Sequence, residues 1–217
     1  DQSLFGINKN PSKQQITKLR VKAGKYISSD FLDEIKVKFS DSGINDEISI
    51  KIVKAGSDTD PRIIEIVYEP LFQQSDYLKP IVKIEIGVRS LIEPNEMREL
   101  NSIISSAMKD RISLEESFSF AIVRPENTFL EKIFLLHEEF KKEIGKIRTD
   151  RLSRHLYDLE KMMDTVYGNN AISDISLYKS IVEHRETFNK LSYLEYPIHS
   201  PRGITIIPPS EIMSTWE

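Results

Sequence analysis

The chain has 217 residues, of which 39% are hydrophobic and 29% charged, with a net charge of −4 and no cysteine. These values are ordinary for a globular protein with a buried core, and they exclude a disulfide framework and a thiolate metal site. No apolar run approaches the roughly 20 residues that span a membrane, and no signal-peptide pattern opens the chain, so we expect a cytoplasmic protein without a membrane partner.

Two helices are predicted at the start of the chain. Pro11 and Ser12 can open the first, which runs to about residue 28, because proline suits the first helical turn. The second is expected over residues 30–40. The first should bury an apolar stripe and carry lysines on another face. The stripe consists of Ile16, Leu19, Ala23 and Ile27, and the lysines are Lys18, Lys22 and Lys25.

Basic residues are concentrated in two stretches. Six lie between residues 2 and 29 with no acid, and six lie between residues 141 and 154 with two acids. Such clusters can bind nucleic-acid phosphates, but they are more often a solvated face. The net negative charge argues against the whole surface being a polyanion binder.

An alternating pattern replaces the helical one near residue 47. Alternation of Ile and Val predicts strands over residues 47–52, 62–69, 79–89 and 119–123. Helices return from residue 127, where Thr128 and Glu131 form a capping-box pattern. This order predicts an α+β fold, with a mixed sheet of about four strands. We expect an α/β domain over residues 1–124 and a helical region over residues 125–217.

Two further helices are predicted in the helical region, after a break at Gly145. Thr149 or Asp150 can cap a helix that reaches residue 165, and residues 176–190 should form another. The inward positions of the first are Leu152, Leu156, Leu159 and Met163.

The strand over residues 81–89 combines an apolar face with a charged one. Alternation places Lys83, Glu85 and Arg89 on the charged face. Glu85 could hold Mg²⁺ as a hard oxygen ligand, while Lys83 or Arg89 neutralises phosphate charge. The alternative is an exposed strand face with cross-strand ion pairs, which spacing alone favours.

A second charged set lies on the helix that follows Gly145. Arg154 and Asp158 are four residues apart, and Arg151 lies one turn earlier, so the three share a face. The pair could be a plain surface ion pair. Alternatively, Asp158 could orient Arg154 toward a triphosphate, whose oxygens suit the planar guanidinium. The spacing does not decide between them.

Several site classes lack support in the sequence. The four histidines are scattered, with no two at metal-ligand spacing. No P-loop, no Gly-x-Gly-x-x-Gly and no Gly-x-Ser-x-Gly occurs. A P-loop ATPase, a Rossmann dehydrogenase and a serine hydrolase are therefore unsupported.

Three long blocks resemble the AbiEii/AbiGii nucleotidyltransferase family. They are "LKPIVKIEIGVRSLIEP" (78–94), "VRPENTFLEKIFLLHEEF" (123–140) and "DRLSRHLYDLEKMMDT" (150–165). The similarity continues through residues 178–191 and 206–217, and more weakly back to residue 1. Blocks of this length in the same order are more specific than any short motif.

The resemblance implies a polymerase-β-like nucleotidyltransferase fold and a phage-defence, abortive-infection toxin of bacteria. The reaction would transfer NMP from NTP to an RNA acceptor, which can be a tRNA, with Mg²⁺ as cofactor and a cognate antitoxin as partner. Within the resemblance, "VKIEIG" makes Lys83 and Glu85 site residues. "FLEK" adds Glu131 and Lys132, and "SRHLYDL" adds Arg154 and Asp158.

The sequence departs from the family pattern in one respect. It contains neither the Gly-Gly-Thr/Ser motif nor the paired aspartates that bind Mg²⁺ and nucleotide in relatives. Asp58-Thr59-Asp60 falls in a turn without such a motif ahead of it. We expect both ends of the chain to be cuts through a longer protein, and the chain alone to be inactive. An unpaired sheet edge would then favour a homodimer.

Two interpretations remain open beside the enzyme fragment. A natural relative could have lost catalysis and kept RNA or antitoxin binding. The chain could also be an interaction protein whose basic stretches are incidental. A Gly-Gly-Thr/Ser motif followed by Asp-x-Asp upstream of this chain would distinguish the enzyme from both.

Overall fold

The structure, a computed structural model, describes residues 11–72, 79–88, 94–108, 117–196 and 201–213. The chain divides into two compact units, Asp1–Ser90 and Leu91–Glu217. The domain boundary expected between residues 124 and 125 stays a prediction. Both units combine helices with antiparallel strands, so the α+β class expected from the sequence is confirmed.

Helix α1 (Lys13–Tyr26) begins at the cap expected from the sequence. The Ser12 hydroxyl accepts a hydrogen bond from the Gln15 N–H, and the Gln15 side chain accepts one from the Ser12 N–H, which completes a capping box. A π-helical turn (Ile27–Phe31) joins α1 directly to α2 (Leu32–Asp41). The predicted stripe is confirmed, since all four of its side chains are buried: Ile16, Leu19, Ala23 and Ile27.

A three-stranded antiparallel sheet completes the first unit. Its strands are, in chain order, β1 (Ile48–Ile52), β2 (Arg62–Tyr68) and β3 (Ile81–Ile86), with β2 in the centre. One hydrophobic cluster of this unit joins three buried side chains, Ile27, Leu32 and Ile64, to half-buried residues of the helices and strands. One sheet face therefore packs on the helices, as the alternation of isoleucines predicts.

The second unit begins with a two-stranded antiparallel sheet formed by β4 (Asn95–Leu100) and β5 (Phe118–Val123), with α3 (Ile103–Ala107) between the two in sequence. The expectation of one mixed sheet of about four strands is wrong for the described residues, which form two antiparallel sheets. Strand β4 escaped prediction because four of its six residues are polar or charged, so it lacks an apolar alternation.

The rest of the second unit is helical. Its helices are α4 (Pro125–Phe140), α5 (Ser153–Met163), α6 (Val166–Ser173), α7 (Ile175–Phe188) and α8 (Ser210–Met213). Fifteen buried apolar side chains form one core, with Phe134, Leu136, Leu152 and Ile181 completely buried. This core fixes how the long helices face one another.

Three local expectations in this region are wrong. Helix α5 begins at Ser153 without the expected cap from Thr149 or Asp150. Thr128 is not a cap: α4 begins at Pro125, and the Thr128 N–H donates to the Arg124 carbonyl at 3.2 Å, inside the helix. Met163 is not inward either, since its side chain is 50% exposed at the end of α5. The start of α4 is instead indicated by the proline at its first position, three residues before Thr128.

The length and hydropathy of the helices bear on membrane insertion. Within the residues that the structure describes, no helix is both long enough and apolar enough to cross a membrane.

Candidate functional site

Lys83 lies on β3, opposite Glu65 of β2. The register pairs Glu65 with both Lys51 and Lys83, and the Glu65 carboxylate lies 3.3 Å from Lys83 Nζ and 3.4 Å from Lys51 Nζ. The hydrogen bond from Lys83, followed by that from Lys51, holds the pKa of the Glu65 carboxyl below its usual value. Lys83 thus forms the cross-strand ion pair that the sequence left open as an alternative.

Glu65 itself was missed in the sequence analysis. A signal was present, because its place between Ile64 and Ile66 puts it on the charged face of the sheet. Which lysines it would meet depended on strand register, which the sequence did not supply.

Glu85 lies on the same face of the sheet, two residues beyond Lys83. Its side chain is exposed, and its cross-strand neighbour is Ile63. An exposed carboxylate is available to a cation from solvent. Arg89, the third residue expected on this face, lies outside the described residues.

Lys132 and Asp158 come together between two helices of the second unit. Lys132 Nζ of α4 donates to Asp158 Oδ2 of α5 at 2.8 Å, across 26 residues of sequence. The side chains are 22% and 42% exposed, respectively, so the pair is partly shielded from water yet accessible. Both residues were carried over from the family resemblance, and the fold makes them direct partners.

This pairing changes the role of Asp158. Spacing along α5 suggested Arg154 as its partner, whereas the structure pairs it with Lys132 of the neighbouring helix. Arg154 is exposed at the beginning of α5. A guanidinium in this position can reach the phosphates of a ligand from solvent.

Two more arginines flank the beginning of α5. Arg148 and Arg151 are exposed. Arg151 has φ of 61°, a left-handed backbone conformation that few residues other than glycine adopt. Within the described part of the chain, no side chain caps the start of α5. A helix start surrounded by cations favours negatively charged ligands such as phosphates.

His155 is a residue of this region that sequence reasoning missed. It is 9% exposed, and its Nδ1 has no hydrogen-bond partner among the described residues. Burial, followed by the charges of Lys132 and Arg154, lowers the pKa of its imidazole. His155 is therefore neutral at pH 7 and leaves the cationic character to the lysine and arginines around it.

Glu131, adjacent to Lys132, has a different environment. Its carboxylate pairs with Arg185 of α7, which also pairs with Glu138 of α4. The Tyr196 hydroxyl donates to the same Glu138 carboxylate, and both contacts join elements more than 40 residues apart in sequence. Glu131 thus belongs to a structural network, while Lys132 points to Asp158.

The chemistry of the donors decides whether the described residues could hold a metal. Among them no group of three or more His, Asp or Glu side chains could hold a metal ion. Glu85 is a single carboxylate with an isoleucine as its cross-strand neighbour. A hard cation such as Mg²⁺ prefers several oxygen ligands, and Glu85 supplies one carboxylate.

Comparison with known protein families gives a match over nearly the whole chain. The model of a family described as "Nucleotidyl transferase AbiEii toxin, Type IV TA system" matches residues 10–212. No curated protein and no solved structure matches the chain. The matched range includes Lys83, Glu85, Lys132, Arg154 and Asp158.

Proposed function

The chain belongs to the AbiEii family of nucleotidyl transferase toxins of type IV toxin–antitoxin systems, and on that premise we propose that it transfers NMP from NTP to a hydroxyl of an RNA acceptor as part of a longer protein. The family match over residues 10–212 carries the proposal. The pair of Lys132 and Asp158 supports it, since this pair joins two of the family blocks in space.

In the proposed reaction the acceptor oxygen attacks the α-phosphorus of the NTP. A bond forms between these two atoms, and the bond from the α-phosphorus to the oxygen that leads to the β-phosphate breaks. Pyrophosphate leaves with the electrons of that bond, and the proton of the acceptor hydroxyl passes to water. Such a displacement depends mainly on positioning and on neutralising phosphate charge.

Lys132 supplies charge neutralisation in this scheme. The carboxylate of Asp158 holds the ammonium group in place, so Asp158 acts as a positioning residue. Arg154 and Arg151 bind outer phosphate oxygens from the beginning of α5. Neutral His155, which follows Arg154 in the chain, does not compete for the phosphates.

Lys83, Glu85 and Arg89 form the second set of site residues. We propose that Glu85 assists Mg²⁺ binding in the intact enzyme, and that Arg89 and Lys83 neutralise phosphate charge. When bound, Mg²⁺ would supply charge neutralisation at the phosphates. A cognate antitoxin is the partner implied by the family. A cytoplasmic location, a homodimer and inactivity of the 217-residue chain on its own are further predictions.

A transfer assay tests the proposal directly. The longer protein expected to carry the Asp-x-Asp motif is incubated with each labelled NTP, Mg²⁺ and total RNA, beside the 217-residue chain. Transfer of label to RNA by the longer protein is expected. Replacing Lys132 by Met should slow transfer about a hundredfold to a thousandfold, the usual cost of removing one charge-stabilising group.

Lys179→Met is the matched control, because Lys179 is an exposed lysine of α7 away from the pair. It should leave the rate unchanged, and Glu85→Gln should lower it. Absence of transfer with every nucleotide would overturn the proposal and favour an RNA- or antitoxin-binding relative without catalysis.

A further inference from the structure

Helix α1 carries an unusual concentration of positive charge. Between Lys13 and Tyr26 it has five basic residues and no acid, and no acid occurs in residues 11–29. The following helix, α2, mixes Lys36 and Lys38 with three acids. The whole chain has a net charge of −4, so α1 is a positively charged helix in a negatively charged protein.

Three of these cations form one stripe on the solvent face of α1. Lys18, Lys22 and Lys25 are spaced by four and three residues, which places them side by side on a helix. All three are exposed or partly exposed. With a rise of about 1.5 Å per residue, the stripe is about 10 Å long. That length allows contact with consecutive phosphates of one strand.

An aromatic ring extends the same row. Tyr26 follows Lys22 by four residues and is 40% exposed. Its ring lies 6.4 Å from that of Phe31, at 46°, which supports it from one side. A supported, half-open ring beside lysines is the arrangement on which single-stranded nucleic acids stack a base.

A membrane surface is a poorer fit for this helix. Amphipathic helices that bind membranes insert an exposed apolar face below the headgroups. The apolar stripe of α1 is instead buried within its own unit, with Ile16, Leu19 and Ala23 each 3% exposed. The solvent face of α1 is polar and charged apart from Tyr26.

We propose that this solvent face of α1, formed by Lys18, Lys22, Lys25 and Tyr26, binds the single-stranded end of the RNA acceptor. The lysines contact the phosphates, and Tyr26 stacks on a base. The proposal rests on the proposed function for the identity of the partner, because transfer to a terminal hydroxyl requires an accessible RNA end.

Salt-dependent binding tests the lysine stripe. A fluorescently labelled single-stranded RNA of about 12 nucleotides, within the usual site size for single-strand binding, is titrated with the full chain at several salt concentrations, and anisotropy gives Kd. Changing Lys18, Lys22 and Lys25 together to Gln should weaken binding. The slope of log K against log salt should fall in magnitude by about 2, since each contact with a single strand contributes about 0.7.

Two further variants serve as controls. Changing the same lysines to Arg keeps the charge and should retain the slope. Changing Lys36, Lys38 and Lys54 to Gln removes equal charge from exposed positions of the same unit and should leave the slope within about 0.5. An equal loss in this control, or an unchanged slope in the stripe variant, would overturn the proposal.

Tyr26→Leu separates stacking from charge. It should weaken binding of single-stranded RNA about fivefold or more, while binding of a duplex of the same length changes little. Equal effects on both would remove Tyr26 from the interface. The two proposals can fail separately. RNA binding that depends on the lysine stripe, without nucleotide transfer, would refute only the proposed function. Nucleotide transfer with RNA binding that does not depend on the stripe would refute only this inference.

Discussion

Among the described residues, each unit has one deeply buried arginine, and the two arginines have different partners. Arg62 in the first unit and Arg185 in the second are both 8% exposed. Arg62 donates to backbone carbonyls of the turn before β2, those of Asp60 at 2.6 Å and Asp58 at 3.1 Å. Arg185 pairs with two carboxylates, those of Glu131 and Glu138.

The two arginines have different structural roles: Arg62 closes a turn, and Arg185 joins two helices. Arg62 acts locally, since its acceptors lie two to five residues away. Arg185 links α7 to α4 across about 50 residues of sequence. Burial lowers the pKa of Arg185, but the charges of Glu131 and Glu138 outweigh this effect and raise it above the usual value. Two equally buried arginines therefore need not contribute equally to the free energy of unfolding.

The largest predicted effect is that of Arg185→Met. It leaves two partly buried carboxylates without their cation, which should lower the free energy of unfolding by about 3 kcal/mol. Urea denaturation followed by circular dichroism measures this loss, and hydrogen exchange shows whether α4 and α7 open first. Adding Glu131→Gln and Glu138→Gln to the variant should recover part of the loss.

Arg62→Met is the matched control in the first unit. It leaves only neutral carbonyls without a donor, so the cost should be about 1–2 kcal/mol. An equal or larger loss than that of Arg185→Met would contradict the distinction between the two arginines.

Gly24→Ala tests how tightly Arg62 is packed in the first unit. A Cβ at Gly24 would lie 2.6 Å from Arg62 Nη2 and 2.8 Å from its Cζ, so the guanidinium would have to shift from its position against the turn. Overpacking of this kind costs about 2 kcal/mol, and the better helix propensity of alanine returns about 1. Thermal unfolding should therefore show a net loss of about 1 kcal/mol.

Gly145→Ala provides the comparison, since a Cβ added at Gly145 would meet nothing within 4 Å, and it should change stability by less than about 0.5 kcal/mol. In the background of Arg62→Ala the cost of Gly24→Ala should disappear. If Gly24→Ala destabilises the Arg62→Ala variant as much as it destabilises the original protein, the clash is not with Arg62.

The pH dependence of stability should separate the two units, because every histidine lies beyond residue 136. His137 is 1% exposed, and burial, followed by the charge of Lys141, lowers the pKa of its imidazole below 6.5. The unfolded chain then binds the proton first as pH falls. Stability of the second unit should therefore decrease as pH falls below 6.5.

Urea denaturation midpoints between about pH 7 and pH 5, the range in which histidine titrates, measure this loss of stability. Hydrogen exchange measured in each unit shows which unit loses it. His137→Asn should flatten the dependence, and His155 contributes in the same direction, because burial also lowers its pKa. A steeper loss in the first unit than in the second would contradict the assignment.

The smallest effect is expected for Lys83→Gln. Lys83 is 62% exposed, and Lys51 remains beside the Glu65 carboxylate. The loss of stability should be about 0.5 kcal/mol or less, and it should shrink at high salt. Melting at two salt concentrations measures it. A loss approaching that of Arg62→Met would show that the sheet face depends on this pair.

Local patterns in the sequence predicted much of the fold. The period of the apolar residues located α1, α2 and β1 to β3, and the spacing of Ile16, Leu19 and Ala23 identified a buried stripe that the structure confirms. The family blocks pointed to membership that the match over residues 10–212 confirms. Strand β4 and helices α3, α6 and α8 were not predicted, because these elements are short and lack a clear apolar period.

The local structure, the α+β class and the family follow from the sequence alone, because helix and strand periods, caps and family blocks are properties of neighbouring residues. Which distant side chains pair with one another follows from the packing of the helices. Lys132 meets Asp158 and Arg185 meets Glu131 across 26 and 54 residues. These contacts depend on how α4 packs against α5 and α7, and side-chain pairing over such distances is set by packing, which no local spacing encodes.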